Sequence, residues 1–162
     1  MTLSKNFTLD EFTKSETATR LGIDNTPTAE HIENLKYLCE TIVQPARDHF
    51  GRINISSGYR SVELCEAVGS NKFSNHARGQ ADDSEVDDKE ISNFEYLLWI
   101  YENCEFKELI AEYFDTSDNN SGWVHSSAEK GNNKRTLKLK DKNHNYEIVT
   151  IEYLKKLYSN PI

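Results

Sequence analysis

The chain has 162 residues with 19 Lys and Arg against 27 Asp and Glu, a net charge of −8. That length suits one domain around one core, and an acidic balance without a dense basic block argues against a nucleic-acid partner. No stretch is apolar enough to span a bilayer or to form the core of a leader after Met1, so a monomer made and folded in the cytoplasm, with no membrane partner, is expected.

Residues 6–12 read as a short apolar element, followed by a polar loop through Asn25. Thr26 and Pro27 then predict a helix start, with Thr26 as N-cap and Pro27 at the first position, where its missing N–H costs nothing. Ile32, Leu35, Leu38, Ile42, Val43 and Phe50 recur at helical spacing and give one buried face, with a kink expected at Pro45 and an end at Gly51. Residues 54–58 read as a strand, and residues 61–68 as a short helix capped by Ser61. A loop over 69–73 leads to a strand running from Gly79 through Val86. Ile91, Phe94, Leu97, Leu98 and Tyr101 mark a further amphipathic helix, and residues 106–113 and 123–126 read as strands.

The tail reads as a hairpin, with residues 136–140 and 146–150 as its arms and 141–145 as its turn. Residues 151–158 suit a last amphipathic turn or two. A helix first, then strands interleaved with helices, favours an α+β fold with a small, mainly antiparallel sheet flanked by helices. One domain over 1–162 is expected, with a core at about 4–127 and the hairpin and short helix at about 133–158. Cys39, Cys65 and Cys104 form an odd set without a CxxC pair, so buried free thiols are expected.

The chemistry-bearing residues cluster in two runs. Ser74-Asn-His-Ala-Arg-Gly-Gln-Ala-Asp-Asp83 holds His76 and Asp83 seven apart, and Gly122-Trp-Val-His125 supplies a second histidine. Two imidazoles and one carboxylate suit Zn2+ and leave a fourth tetrahedral position for water, which a hydrolytic zinc needs. A turn at Gly79 would return the strand residue toward the same ion. His31, His49 and His144 fall at a helix start, a helix end and a hairpin turn, and read as structural.

With Ile55-Ser-Ser-Gly-Tyr-Arg-Ser61 added to these two runs, the sequence resembles the zinc D-alanyl-D-alanine carboxypeptidase family, which includes VanY-like and VanX-like enzymes and several phage endolysins. Residues 6–12 and 22–27 also resemble the leading segment of its small, single-domain, phage-associated branch. The resemblance spans roughly residues 4–127 and implies a Hedgehog/D-Ala-D-Ala-peptidase-like fold and a peptidoglycan peptide substrate. It implies zinc ligands His76, Asp83 and His125, and a substrate-gripping or oxyanion-steadying role for Arg60. Ser74 matches a position that contacts substrate backbone. Tyr59 stands beside Arg60 at the substrate corner, where packing support suits it better than proton donation.

Some members carry an acidic residue three positions before the last histidine, where this chain has Gly122. Glu112 resembles the acidic residue ending the equivalent strand in the small-domain branch and is the candidate general base, with Asp115 and Asp118 as rivals. Asp82 and Ser84 replace apolar residues on the face opposite Asp83, so either that face is wetter here or the strand is distorted. Carboxypeptidase and endopeptidase action fit equally. Gly122, Asp82 and Ser84 also suit a second reading, a wall-binding or virion-associated domain that keeps the fold without turnover.

Overall fold

The structure, a computed structural model, describes residues 1–159. A small hairpin, β1 (Thr2–Ser4) and β2 (Phe7–Thr8), leads into α1 (Leu9–Thr13) and α2 (Glu16–Leu21). Helix α2 lies in the stretch expected to be loop. Its signals are a cap at each end: the Ser15 hydroxyl accepts from Ala18 N, and Gly22 closes the helix in the left-handed region.

Helix α3 (Ala29–Leu38) begins two residues later than expected, because Thr28 rather than Thr26 is the N-cap and accepts from His31 N at 3.2 Å. Pro27 therefore precedes the helix instead of opening it. A single π-helical segment, Cys39–Val43, joins α3 to α4 (Gln44–Phe50). It explains how Pro45 is accommodated: its ring would collide with the carbonyl four residues back in an α-helix, and the wider turn relieves that clash. Gly51, at φ 85°, ends α4.

The remaining elements are β3 (Ile53–Ser57), α5 (Val62–Ala67), a 3-10 turn Asn75–Arg78, β4 (Ala81–Val86), α6 (Asn93–Asn103), β5 (Glu108–Glu112), β6 (Trp123–Ser127), β7 (Thr136–Lys140), β8 (Tyr146–Ile148) and α7 (Ile151–Tyr158). Six strands form one sheet in the order β3-β4-β6-β5-β7-β8, antiparallel except for the β5–β7 pair. The architecture is α+β, as expected. The tail hairpin continues this sheet, since β7 lies directly beside β5.

Strand alternation divides the sheet into two faces. Leu109, Ala111, Val124 and Leu137 join Leu97 and Ile100 of α6 and Leu35, Leu38 and Ile42 in the core. Leu97 is fully buried, so truncating it to Ala would cost about 2–5 kcal/mol. Cys39, Cys65 and Cys104 are buried free thiols. Asp83, His125, Glu108, Glu112 and Lys140 occupy the other face, which lines a cleft.

Asp82 and Ser84 share the core face yet are 0 % exposed. Neither expected explanation holds, because the face is dry and β4 keeps an unbroken register with β6. The side chains are instead paired: Ser126 Oγ donates to Asp82 Oδ1 at 2.5 Å, and Ser84 Oγ lies 2.8 Å from the Tyr96 hydroxyl. On the other side of β4 the register shifts in β3, between Ile55 and Ser57.

Burial pushes the Asp82 carboxyl up to about 6, against the pull of hydrogen bonds from Ser126 and Ser84. The folded state thus favours the protonated acid, and this group's contribution to stability is full below the ordinary carboxylate range and lost as pH rises through about 6. In chelator-treated protein, Asp82→Asn should gain on wild type by up to about 3 kcal/mol between pH 4 and pH 8. Denaturant unfolding at both pH values measures this, and an unchanged difference would show that Asp82 does not titrate in that range.

Candidate metal centre

Three elements bring the ligand candidates together. Ser74 Oγ caps the 3-10 turn by accepting from His76 N at 3.2 Å, and Gly79 then reverses the chain at φ 70° into β4. A Cβ at Gly79 would stand 2.5 Å from the His31 carbonyl oxygen, so glycine alone makes this turn without displacing α3. Asp83 of β4 lies directly opposite His125 of β6 in the antiparallel ladder, an arrangement that sets side chains about 5 Å apart at their roots.

Asp83 Oδ1 stands 3.0 Å from His125 Nδ1 and 3.4 Å from His76 Nε2. Ligand atoms of all three residues lie within 4.8 Å of one another, and all three side chains are buried. A tetrahedral zinc with bonds of about 2.0–2.1 Å has ligand–ligand edges of about 3.3 Å, so the two separations from Asp83 to the histidines already match. The outer nitrogen of His76, Nδ1, is 2.6 Å from the Gly58 carbonyl oxygen. Donation there fixes the tautomer and leaves Nε2 unprotonated for a cation.

The charge pattern suits the same end. Burial pushes His76 down from the usual imidazole range, with Asp83 in partial opposition. For His125 burial also works downward, but hydrogen bonding and charge from Asp83, with Glu112 and Glu108, raise it overall. Burial works to raise Asp83, yet the two imidazoles outweigh it and hold the carboxyl far below the usual range. Arg60 completes the surround: Nη2 donates to Asp83 Oδ2 at 3.0 Å and Nε to Ser57 Oγ at 2.8 Å.

Glu112 is brought to the centre. On β5 it faces Trp123, one diagonal step from His125, and its Oε1 lies 3.9 Å from His125 Nδ1. Burial and then the Asp83 charge push its carboxyl up, while His125, Lys140 and Arg60 oppose. Gly122 cannot be replaced by an acid here: its φ is 64°, and a Cβ would fall 1.9 Å from the Glu112 carbonyl oxygen. Asp115 and Asp118 lie apart in an exposed turn, where Asp115 Oδ1 accepts from Ser117 and Asp118 Oδ1 from Asn120 N. Ser74 lines the cleft. Tyr59 does not: it is buried in the core and its ring centroid lies 4.9 Å from that of His31.

Sequence reasoning missed Glu108 and the β7 lysines. Glu108 is the other diagonal neighbour of His125, with Oε1 3.6 Å from Nε2, a buried nitrogen that has no hydrogen-bond partner among the described residues. Lys138 holds the other Glu108 oxygen at 2.7 Å, and Lys140 Nζ is 3.9 Å from Glu112 Oε2. Strand periodicity alone would have placed Glu108 and Glu112 on one face, but only the sheet order sets His125 between them. His144, read as structural, also reaches the cleft, with Nδ1 2.6 Å from the Tyr113 hydroxyl.

Two imidazoles and a carboxylate, open on the side that bears a proton-hungry acid, define a hydrolytic metal site of the peptidase kind. The Peptidase M15 family matches residues 5–127. The chain belongs to that family and is a zinc-dependent metallopeptidase, with His76, Asp83 and His125 as the cluster able to hold the ion and peptidoglycan peptides as its general substrate. No curated protein matches the chain. Among the described residues, no helix is long and apolar enough to cross a membrane.

Glu108 carries a prediction of its own. Its removal in Glu108→Ala should weaken zinc affinity about 10–100-fold through loss of the carboxylate beside His125 Nε2, whereas Glu108→Gln, which keeps an acceptor oxygen, should fall less. Competition with a chromophoric chelator reads this without any substrate. Equal affinities in both variants and wild type would leave Glu108 as a partner of Lys138 only.

Proposed function

We propose that this protein hydrolyses D-alanine-containing peptide bonds of bacterial peptidoglycan, in the manner of a phage lysis enzyme, with one domain spanning 1–162 in which residues 160–162 lie outside the described part. The observation that carries the reading is the approach of Glu112 to the His76, Asp83 and His125 cluster from its open side, 3.9 Å from His125 Nδ1. Zinc, when bound, supplies Lewis-acid polarisation and brings the pKa of water to about 7.

Hydrolysis adds water across the C–N bond. Glu112 Oε1 receives the proton of the attacking water and passes it to the leaving amine nitrogen, so the carboxylate returns unchanged and the carbonyl carbon keeps the oxygen. Its raised proton affinity favours the first of these transfers. Arg60, fixed by Asp83 and Ser57, offers its remaining N–H groups to the scissile end of the substrate or to the developing oxyanion. Ser74 already accepts from His76 N, and its hydroxyl proton is directed to a substrate backbone carbonyl. Tyr59 supports the corner through its packing on His31.

Glu112→Gln should retain zinc and lose on the order of 100-fold or more in turnover, because the amide keeps the shape and cannot accept the proton. Mass spectrometry of digested muropeptides and metal analysis of the same sample read both quantities. Undiminished turnover would remove Glu112 from the mechanism, and Asp115 and Asp118 would be tested next.

Zinc affinity should also fall toward acid pH, since both histidines must be neutral to bind. The raised His125 sets the direction: protonation competes at a higher pH than for an ordinary imidazole. Chelator competition at pH 5, 6, 7 and 8 measures this. Constant affinity over that range would mean that His125 is not a ligand.

A further inference from the structure

The cleft over the metal cluster, about 990 Å³, is bounded on one side by Phe73 and on the other by Lys138, Lys140 and Tyr146. A second groove, about 820 Å³, lies between α2, β3 and α5. The two share Ser15, Ser57, Arg60 and Val68 as lining. They are two halves of one trench, with Arg60 at the junction. Each half alone matches the upper part of the range for a small-molecule site, about 300–1,000 Å³, so the whole exceeds what a dipeptide end would fill.

An enzyme that trims a terminal residue needs a stop: a group that closes the site one residue beyond the scissile bond and reads the free carboxylate. Arg60 is the cation placed to do so, but the groove continues beyond it past Thr17, Thr19 and Arg20 of α2. On the other side the cleft is lined by Tyr113, Trp123 and His144. The groove wall combines hydroxyls from Ser15, Thr17 and Ser56 with apolar Ile55, Leu64 and Val68, as suits an extended peptide with both its backbone and its side chains in contact.

From this we infer that the groove along α2 is a substrate subsite, and that the enzyme cuts an internal bond of a cross-linked or extended peptide lying on both sides of Arg60. The inference rests on the peptidoglycan reading above and deepens it. Binding energy is gathered along the trench, away from the reacting bond, where it positions the carbonyl.

Thr19, exposed on α2, provides the test. Zinc-loaded enzyme is supplied with purified cross-linked muropeptide dimers and with monomeric stem peptides, and products are identified by mass spectrometry. Dimers should split at a kcat/KM at least tenfold above that for release of a single residue. Thr19→Trp, which narrows the groove without replacing Arg60 or the ligands, should lower the dimer-to-monomer ratio about tenfold; thermal melting verifies that the variant folds. Release of single D-alanine with dimers left intact would overturn the subsite and leave the peptidase reading standing. A ratio unmoved by Thr19→Trp would also overturn it. Failure to cut any muropeptide would remove the peptidoglycan reading and the subsite with it.

Discussion

A buried carboxylate is costly unless cations and donors surround it, and Asp83 is the point at which this structure meets that demand. Its Oδ1 faces both imidazoles and its Oδ2 takes the Arg60 guanidinium. Each partner arrives from a different element: the 3-10 turn, β6 and the corner after β3. The β4–β6 register, the reversal at Gly79 and the capped turn at Ser74 are therefore not independent details. Moving β4 by one residue would exchange Asp83 for Asp82 or Ser84 on the cleft face and leave the carboxylate in the core.

That alternation also accounts for Asp82. Two adjacent aspartates on one strand must point to opposite faces, so one of them enters the core whenever the other reaches the metal. The core answers with Ser126, which occupies the facing position on β6 and donates to Asp82, while Ser84 is answered by a tyrosine hydroxyl from α6. Each buried group gains a partner, although Asp82 Oδ2 has none among the described residues. The strand stays regular and the polar pairs are dry.

Much of this was legible in sequence because the motif residues lie on strongly patterned elements. His76, Asp83 and His125 could be chosen together from donor chemistry and resemblance, and the α+β order, the scaffold helix and the tail hairpin followed from periodicity and turn residues. Helix α2 was not legible by periodicity, since six residues are too few to show a face; the Ser15 and Gly22 caps were its only marks. The start of α3 was misplaced because two threonines flank Pro27 and either can cap. Glu108, Lys138 and Lys140 escaped because their role depends on β7 pairing parallel to β5, a long-range relation that no local pattern announces.

The position of the candidate base follows from backbone geometry as much as from side-chain choice. Gly122 sits in the left-handed region with its α-carbon pressed against the end of β5, and that closeness is what brings Glu112 beside Trp123 and within reach of His125. An acid at 122 would have to push β5 away, carrying with it the strand that now bears the candidate base. In this chain the two placements of the acid therefore exclude each other: a side chain at 122 would collide with the end of the strand that carries Glu112. It follows that Gly122, which looked like a lost catalytic residue, is the condition for having Glu112 in place.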